Sequence, residues 1–311
     1  MKTPRVAVIV LNWNGAPHLT ACLDSVARLT YPGAAVRVVD NASTDGSEAE
    51  LEARWPQFTV QRNATNLGYA GGNNAAIRAT EGEYVLLVNN DTVLEPGLLE
   101  PLVAAAEADP LVAACSPMIC YVDRPGVLNA AGLAIKRDLH PASRGQGELA
   151  SAYTDPANVF GAHGACALYR RSALDRVGLL DEDFFAYHEE FDLAWRLQLA
   201  GYCARYVPAA RLLHHEAASL RKTPQRLVYL MERNRIWAIA KNAGAGLIAR
   251  HLPELIAAEW DTLRGAVGVR DATAYRARAD AVLGLPRMLA KRRAVQALRT
   301  VPDTRIAAWL C

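Results

Sequence analysis

Short apolar runs alternate with helical patterns through the first part of this 311-residue chain. Residues 6–11 are branched and apolar, and apolar side chains recur at helical spacing from Leu19 to Val26. Further strands are predicted at 36–39, 59–62 and 84–88, with helices at 48–54 and 71–80. Strands that alternate with helices predict an α/β fold built on a mostly parallel, doubly wound sheet.

A polar cluster follows each of these predicted strands. The clusters span residues 12–15, 40–47, 66–74 and 89–92, and they are rich in Asn, Asp and Gly. Because open α/β sheets bind ligands at the carboxyl ends of their strands, we expect the four clusters to line one crevice.

Two features of these clusters suit a nucleotide. Asp40 can accept hydrogen bonds from a base or ribose; the alternative is a helix cap or an Asx-turn. The glycines at 68, 71 and 72 let the backbone approach a ligand, and a helix N-terminus there favours anions. No G-x-G-x-x-G follows the first strand and no G-K-[ST] occurs, which disfavours dinucleotide and P-loop sites.

Candidate metal ligands occur after two apolar strands. Asn89 and Asp91 present oxygen atoms two residues apart, as Mg²⁺ and Mn²⁺ prefer, unless they only form a turn before Pro96. His214 closes another apolar run and could ligate a metal or lie at the surface. Arg221 follows in a loop that could clamp phosphate.

The segment from Phe184 to Arg196 concentrates acidic and aromatic residues. Glu189 and Glu190 are costly to bury without a function, although a helix N-terminus also accommodates acids. Asp192 lies four residues before Arg196, so we expect those two to form a structural ion pair.

Together, and in this order, the motifs resemble the inverting family 2 glycosyltransferases of the GT-A fold. The likeness runs from Val6 to about Lys241 and is greatest to the rhamnosyltransferase-type branch. The resemblance implies metal ligation of Mn²⁺ or Mg²⁺ by Asp91 and His214, and a catalytic base at Glu190 beside Glu189. It implies nucleotide-sugar binding by Asn12, Asn14, Asp40, Asn41, Asn66, Gly71, Asn73, Asn90 and Arg221.

Two positions depart from the family pattern. Asn89 stands where the family usually has an acid, which weakens the expected metal site. Glu190 replaces an aspartate, which lengthens the base by one methylene and leaves open which acid of the pair acts.

The resemblance implies transfer of a sugar, with L-rhamnose favoured, from a dTDP- or UDP-linked donor. The acceptor would be a hydroxyl of a glycan or lipid-linked glycan in surface polysaccharide synthesis. A nucleotidyltransferase and a non-catalytic nucleotide-sugar-binding module are the alternatives. The first normally carries a Gly-rich loop with Arg and Lys where this chain has residues 12–15. The second would lack Asp91 or the acidic pair, and both are present.

Composition and the pattern of helix-breaking residues predict the cellular compartment and the domain boundaries. The net charge of +2 gives no sign of a nucleic-acid partner, and the six cysteines lack C-x-x-C spacing, so we expect a reducing cytoplasm. No apolar stretch is long enough for a membrane span. We expect a catalytic domain at 1–241 and a helical extension at 242–311, with helix breaks at Gly244, Pro253, Gly265, Gly268 and Pro286.

The C-terminal extension mixes apolar residues with many Arg and Lys. One hypothesis is peripheral, salt-sensitive association with the inner face of a membrane. The alternative is a helical face packed on the catalytic domain or on a second copy in a homo-oligomer.

Overall fold

The predicted alternation of strands and helices is present in the computed structural model, which describes residues 3–215, 224–269 and 271–311. Its first elements are β1 (Val6–Asn12), α1 (Leu19–Val26), β2 (Ala34–Asp40), α2 (Leu51–Arg54), β3 (Thr59–Arg62), α3 (Gly68–Arg78) and β4 (Tyr84–Asn89). Each matches a predicted element to within three residues at either end.

The middle of the chain adds eight strands and three α-helices. In order these are β5 (Thr92–Leu94), α4 (Leu99–Glu107), β6 (Val112–Tyr121), β7 (Leu128–Ala130), β8 (Leu133–Ile135), β9 (Pro141–Ser143), β10 (Ala157–Val159), β11 (Cys166–Arg170), α5 (Arg171–Val177), α6 (Glu189–Leu199) and β12 (Cys203–His214). Single 3₁₀ turns occur at Ala150–Ala152 and Glu182–Phe184. The last described part is helical: α7 (Pro224–Asn242), α8 (Ala245–Arg250), α9 (Leu252–Val269), α10 (Thr273–Ala297) and α11 (Asp303–Ala307).

Ten of the described strands form one sheet in the order β10-β12-β6-β11-β4-β1-β2-β3, with β5 paired to β12 and β7 paired to β6. The remaining two, β8 and β9, form a separate hairpin. Strands β3, β2, β1 and β4 are parallel, whereas β11 runs antiparallel between β4 and β6. The register places Asn12 beside Asp40 and Leu11 beside Asn89. The polar clusters therefore meet at one edge of the sheet, as predicted.

Alternate residues of β1 pack into two different apolar layers. Val8 and Val10 belong to the layer closed by α1 and α4, and Ile9 belongs to the layer closed by α3, α5 and α6. Burial on both faces explains why the strand is a continuous apolar run rather than an alternating one.

A third apolar cluster joins the C-terminal helices to the catalytic part. Trp195 of α6, Trp237 of α7 and Met288 of α10 are all buried in it. The indole Nε1 of Trp237 also donates to the Ala281 carbonyl at 2.9 Å. The expected domain boundary at residue 241 falls one residue before the end of α7. Since α7 packs against both α6 and α10, the boundary stays a prediction.

The expected helix break at Gly244 lies between α7 and α8, and Pro253 lies in the first turn of α9, two residues after the break at His251. The other three expected breaks are wrong. Gly265 and Gly268 lie within α9, and Pro286 lies within α10. A proline inside a helix loses one hydrogen bond and costs about 3 kcal/mol. Packing of α10 on α7 offsets such a cost, because Gly284 admits the Trp237 ring where a Cβ would lie 2.4 Å from Cζ2.

Buried ion pairs also connect α6 to α7. Lys241 Nζ lies 2.7 Å from Asp181 and 2.9 Å from Asp192, and Arg196 Nε pairs with Asp192 at 2.9 Å. The structural ion pair predicted for Asp192 is therefore present. A buried ion pair tolerates little displacement, since separating it leaves uncompensated charge. The network fixes α6 against α7.

Candidate active site

A cavity of about 530 Å³ opens at the carboxyl ends of β1 and β4. Its floor includes Asn89, Asn90 and Asp91, which follow β4 directly. Residues of the β8–β9 hairpin and of α7 form part of its wall.

The two predicted metal ligands are neighbours in this cavity. His214 ends β12, which pairs with β5 so that His214 lies opposite Thr92, next to Asp91. The distance from His214 Nε2 to Asp91 Oδ1 is 3.3 Å, and both side chains are buried. His214 Nδ1 lies 2.9 Å from Asn129 Oδ1, which orients the imidazole.

This pair fits a hard divalent cation. Asp91 Oδ1 is buried without a hydrogen-bond partner, as a ligating oxygen would be. Burial opposes ionisation of Asp91, but the favourable electrostatic interaction with the neighbouring His214 outweighs burial and lowers the pKa of the carboxyl. Among the described residues no group of three or more His, Cys, Asp and Glu side chains could hold a metal. One carboxylate and one imidazole leave coordination positions for water and phosphate, which suits Mg²⁺ or Mn²⁺.

The two candidate acids begin α6 and both line the cavity. The backbone ahead of them is strained, since Phe185, Tyr187 and His188 have φ of 65°, 70° and 68°. A positive φ costs a residue with a side chain about 1 kcal/mol or more. The surrounding structure must hold this segment, and it thereby sets where Glu189 and Glu190 lie.

Burial makes the two acids unequal. Burial and the neighbouring Glu190 charge raise the pKa of Glu189 well above its ordinary value. Burial also raises the pKa of Glu190, but N–H groups of Glu190 and Phe191 donate to its carboxylate and oppose the rise. A hydrogen bond joins the two carboxyl groups. Glu190 is therefore the first of the pair to lose its proton as the pH rises.

The first two polar clusters form one buried network behind the cavity. Asn12 Nδ2 donates to Asp40 Oδ1 at 3.3 Å and to Ser47 Oγ at 2.8 Å, and Asn90 Nδ2 donates to Asn12 Oδ1 at 2.7 Å. Asn14 Oδ1 accepts from the Thr44 N–H at 2.7 Å. Asp40 is 4% exposed and does not line the cavity. Its contact with a base or ribose stays a prediction.

The second cluster reaches the cavity through Asn41, and the third reaches it through Asn66 and Gly68. Asn41 Nδ2 donates to Asn66 Oδ1 at 2.9 Å and to the Gly68 carbonyl at 3.0 Å. Gly71 and Asn73 lie farther along α3 and do not line the cavity. Arg221 lies outside the described residues.

Several cavity residues were not predicted. The His163 ring lies 6.4 Å from that of His214, and burial lowers its pKa to about 3. Tyr187 lies near both the acidic pair and Asp91, and Leu227 and Met231 of α7 form an apolar wall. Only tertiary packing brings these residues to the site. The His-Gly-Ala run at 163–165, ahead of β11, was the one local signal.

Comparison with solved structures identifies the architecture. The mannosyltransferase PcManGT from Pyrobaculum calidifontis, in complex with GDP-Man and Mn²⁺, matches with a TM-score of 0.58 and 22% identity over 99% of this chain and 79% of that one. Residues 1–349 of S. aureus TarS, in complex with UDP-GlcNAc, match with a TM-score of 0.61 and 18% identity over 94% and 88%. These likenesses confirm the predicted GT-A fold.

Sequence relatives identify the family. The N-acetylglucosaminyl-diphospho-decaprenol L-rhamnosyltransferase of Mycobacterium tuberculosis is 30% identical over 245 residues, 71% of this chain and 80% of the relative. An N-acetylglucosaminyltransferase of Bradyrhizobium diazoefficiens is 32% identical over 269 residues, 81% of this chain and 52% of the relative. The family model for glycosyl transferase family 2 matches residues 7–178, more than half of the chain. The chain belongs to glycosyl transferase family 2.

Proposed function

We propose that this glycosyltransferase moves L-rhamnose, with inversion, from dTDP-rhamnose to a hydroxyl of a lipid-linked glycan in surface polysaccharide synthesis. The observation that carries the proposal is one cavity lined both by the Asp91–His214 pair and by the buried acids. The sugar and the lipid diphosphate acceptor are those in the name of the M. tuberculosis relative.

The donor half of the site is polar and the acceptor half is partly apolar. Asn66 and the Gly68 backbone lie at the start of α3, where N–H groups favour anionic ligands. When bound between Asp91 and His214, Mn²⁺ or Mg²⁺ would offset the negative charge that develops on the diphosphate leaving group. The apolar wall of Leu227 and Met231 suits the start of a lipid chain.

The proton transfer falls to Glu190. Its carboxylate takes the proton from the acceptor hydroxyl while that oxygen bonds to the anomeric carbon and the bond to the nucleoside diphosphate breaks. Glu189 keeps its own proton and holds the Glu190 carboxylate through their hydrogen bond. One displacement from the face opposite the leaving group inverts the anomeric configuration. A nucleotidyltransferase would release pyrophosphate instead of a nucleoside diphosphate.

The metal site predicts dependence on a divalent cation. Asp91→Asn keeps the shape but removes the charge that attracts the cation, so turnover should be lost while the thermal unfolding temperature changes little. Nucleoside diphosphate release should also stop in excess EDTA and return with Mn²⁺ or Mg²⁺. Full activity in EDTA would contradict the metal proposal. Asp123→Asn, a change at an exposed aspartate, is the control and should be active.

The acidic pair predicts which variant is inactive. Glu190→Gln removes the proton acceptor, and kcat should fall by about 10²–10⁴-fold with donor binding nearly unchanged. Glu189→Gln can still donate to Glu190 and should keep more activity. Kinetics of both variants would test the assignment, and an inactive Glu189→Gln beside an active Glu190→Gln would reverse it.

The same pair predicts the pH profile. The base works when ionised, and burial raises its pKa. The kcat/KM of the wild type should therefore fall with decreasing pH at a midpoint above the ordinary value of a glutamate. A midpoint at or below that value would contradict a buried base.

The membrane proposal rests on an exposed apolar surface of the C-terminal helices. On α9, Leu252, Ile256, Trp260 and Val267 are 48–65% exposed, and on α10, Tyr275, Val282, Leu283 and Leu289 are 43–79% exposed. Exposed Arg264 and Arg293 lie on the same helices. No helix among the described residues is long and apolar enough to cross a membrane. Exposed apolar residues beside cationic ones suit binding to the cytoplasmic surface of an anionic bilayer.

This surface predicts salt-sensitive binding to vesicles. The full-length chain should sediment with phosphatidylglycerol vesicles at low salt and less at high salt, since each cation near the surface contributes ~1 kcal/mol. Trp260→Ser combined with Leu283→Ser should weaken binding. Leu111→Ser is the matched control, because Leu111 is 54% exposed and lies ahead of β6, outside α9 and α10. A chain that stays in the supernatant at low salt would exclude the membrane and favour a subunit contact.

A further inference from the structure

The strained segment ahead of the acidic pair, residues 184–188, accepts three hydrogen bonds from a single side chain of α7. Asn234 is fully buried, and its Nδ2 donates to the carbonyls of Phe184 at 2.9 Å, Ala186 at 2.8 Å and Tyr187 at 2.7 Å. An amide nitrogen has two hydrogens. Three carbonyls therefore share them, and all three belong to the turn that ends at Glu189.

The orientation of this amide is determined by its neighbour. Arg233 donates to Asn234 Oδ1 from Nε at 2.9 Å and from Nη2 at 2.8 Å. Because the oxygen faces the guanidinium, the nitrogen must face the carbonyls. Arg233 Nη2 also donates to the Phe184 carbonyl at 3.1 Å, so the two residues bind the segment together.

The donor side of the cavity holds the segment from the other side. The Ala70 N–H donates to the Phe185 carbonyl at 3.1 Å. Gly68 approaches so closely that a Cβ there would lie 2.3 Å from the same oxygen. The segment is thus confined between the start of α3 and the side chain of Asn234.

We propose that Asn234 is a positioning residue, through which α7 fixes the strained turn and so aims the Glu190 carboxylate at the acceptor hydroxyl. The proposal rests on the function proposed above for Glu190. Phe185, Tyr187 and His188 do not adopt positive φ readily, and loss of the hydrogen bonds that Asn234 donates to carbonyls of this segment lets the segment relax. Relaxation turns the start of α6, and the carboxylate of Glu190 moves with it.

The chain offers a matched control on the same helix. Asn242 is also fully buried, two turns farther along α7, and its Nδ2 donates to Asp192 Oδ1 at 2.8 Å and to the Ala238 carbonyl at 2.9 Å. It does not bind the strained turn. Asn234→Leu and Asn242→Leu therefore remove the same group from the same helix with different consequences for the acids.

The test combines kinetics with hydrogen exchange on the full-length chain. Asn234→Leu should lower kcat by about 10²-fold, the effect of a misplacement of about 1 Å, with the donor KM nearly unchanged. Backbone amides of residues 184–190 should exchange faster. Asn234→Asp keeps the size of the side chain but loses both N–H donors, and it should lower kcat and speed exchange as Asn234→Leu does. It serves as the test if Asn234→Leu fails to fold. Asn242→Leu should lower stability while kcat and exchange at 184–190 stay near wild type.

Two results would overturn the proposal. The first is that both Asn234 variants keep the wild-type kcat and the wild-type exchange at residues 184–190. The second is that Asn242→Leu lowers kcat and speeds exchange at residues 184–190 as much as the Asn234 variants do. The exchange result does not depend on the chemistry of the site. If Glu190→Gln proves active while the Asn234 variants still release residues 184–190 and lower kcat, the assignment of the base fails and the positioning role stands.

Discussion

The parallel register of β1 with β2 and β4 is the constraint on which the site depends. It sets Asn12 beside Asp40 and Leu11 beside Asn89, so polar residues distant in sequence reach one edge of the sheet. The hydrogen bond between Asn12 and Asn90 then links the end of β1 to the residues that carry Asp91. A shift of one residue in this register would turn the polar ends toward the apolar layers.

The C-terminal helices complete the site rather than merely follow it. Lys241 neutralises the buried Asp192 of α6, and Asn234 binds the turn ahead of the same helix. Both contacts come from α7, whose Leu227 and Met231 also line the cavity. Glu189 and Glu190 therefore lie in a cavity that the end of the sheet and α7 line together.

Local patterns in the sequence predicted the first half of the fold, because each apolar run there is a single strand followed by its own polar cluster. They predicted the meeting of Asp91 with His214 only through family resemblance. The antiparallel course of β11 was not predictable, since Cys166–Arg170 is an ordinary apolar strand whose direction depends on its neighbours. Pro286 inside α10 shows packing overriding local preference. The role of Asn234 depends on three carbonyls some 50 residues away, which leave no local signal.

The proposed inversion requires one displacement at the anomeric carbon, with Glu190 acting as a base and not as a nucleophile. The most direct test is the anomeric configuration of the product, determined by NMR after reaction of dTDP-rhamnose with a lipid-diphosphate-linked glycan. We predict that the new glycosidic bond has the configuration opposite to that of the donor, with dTDP released. A product with the donor configuration would contradict it.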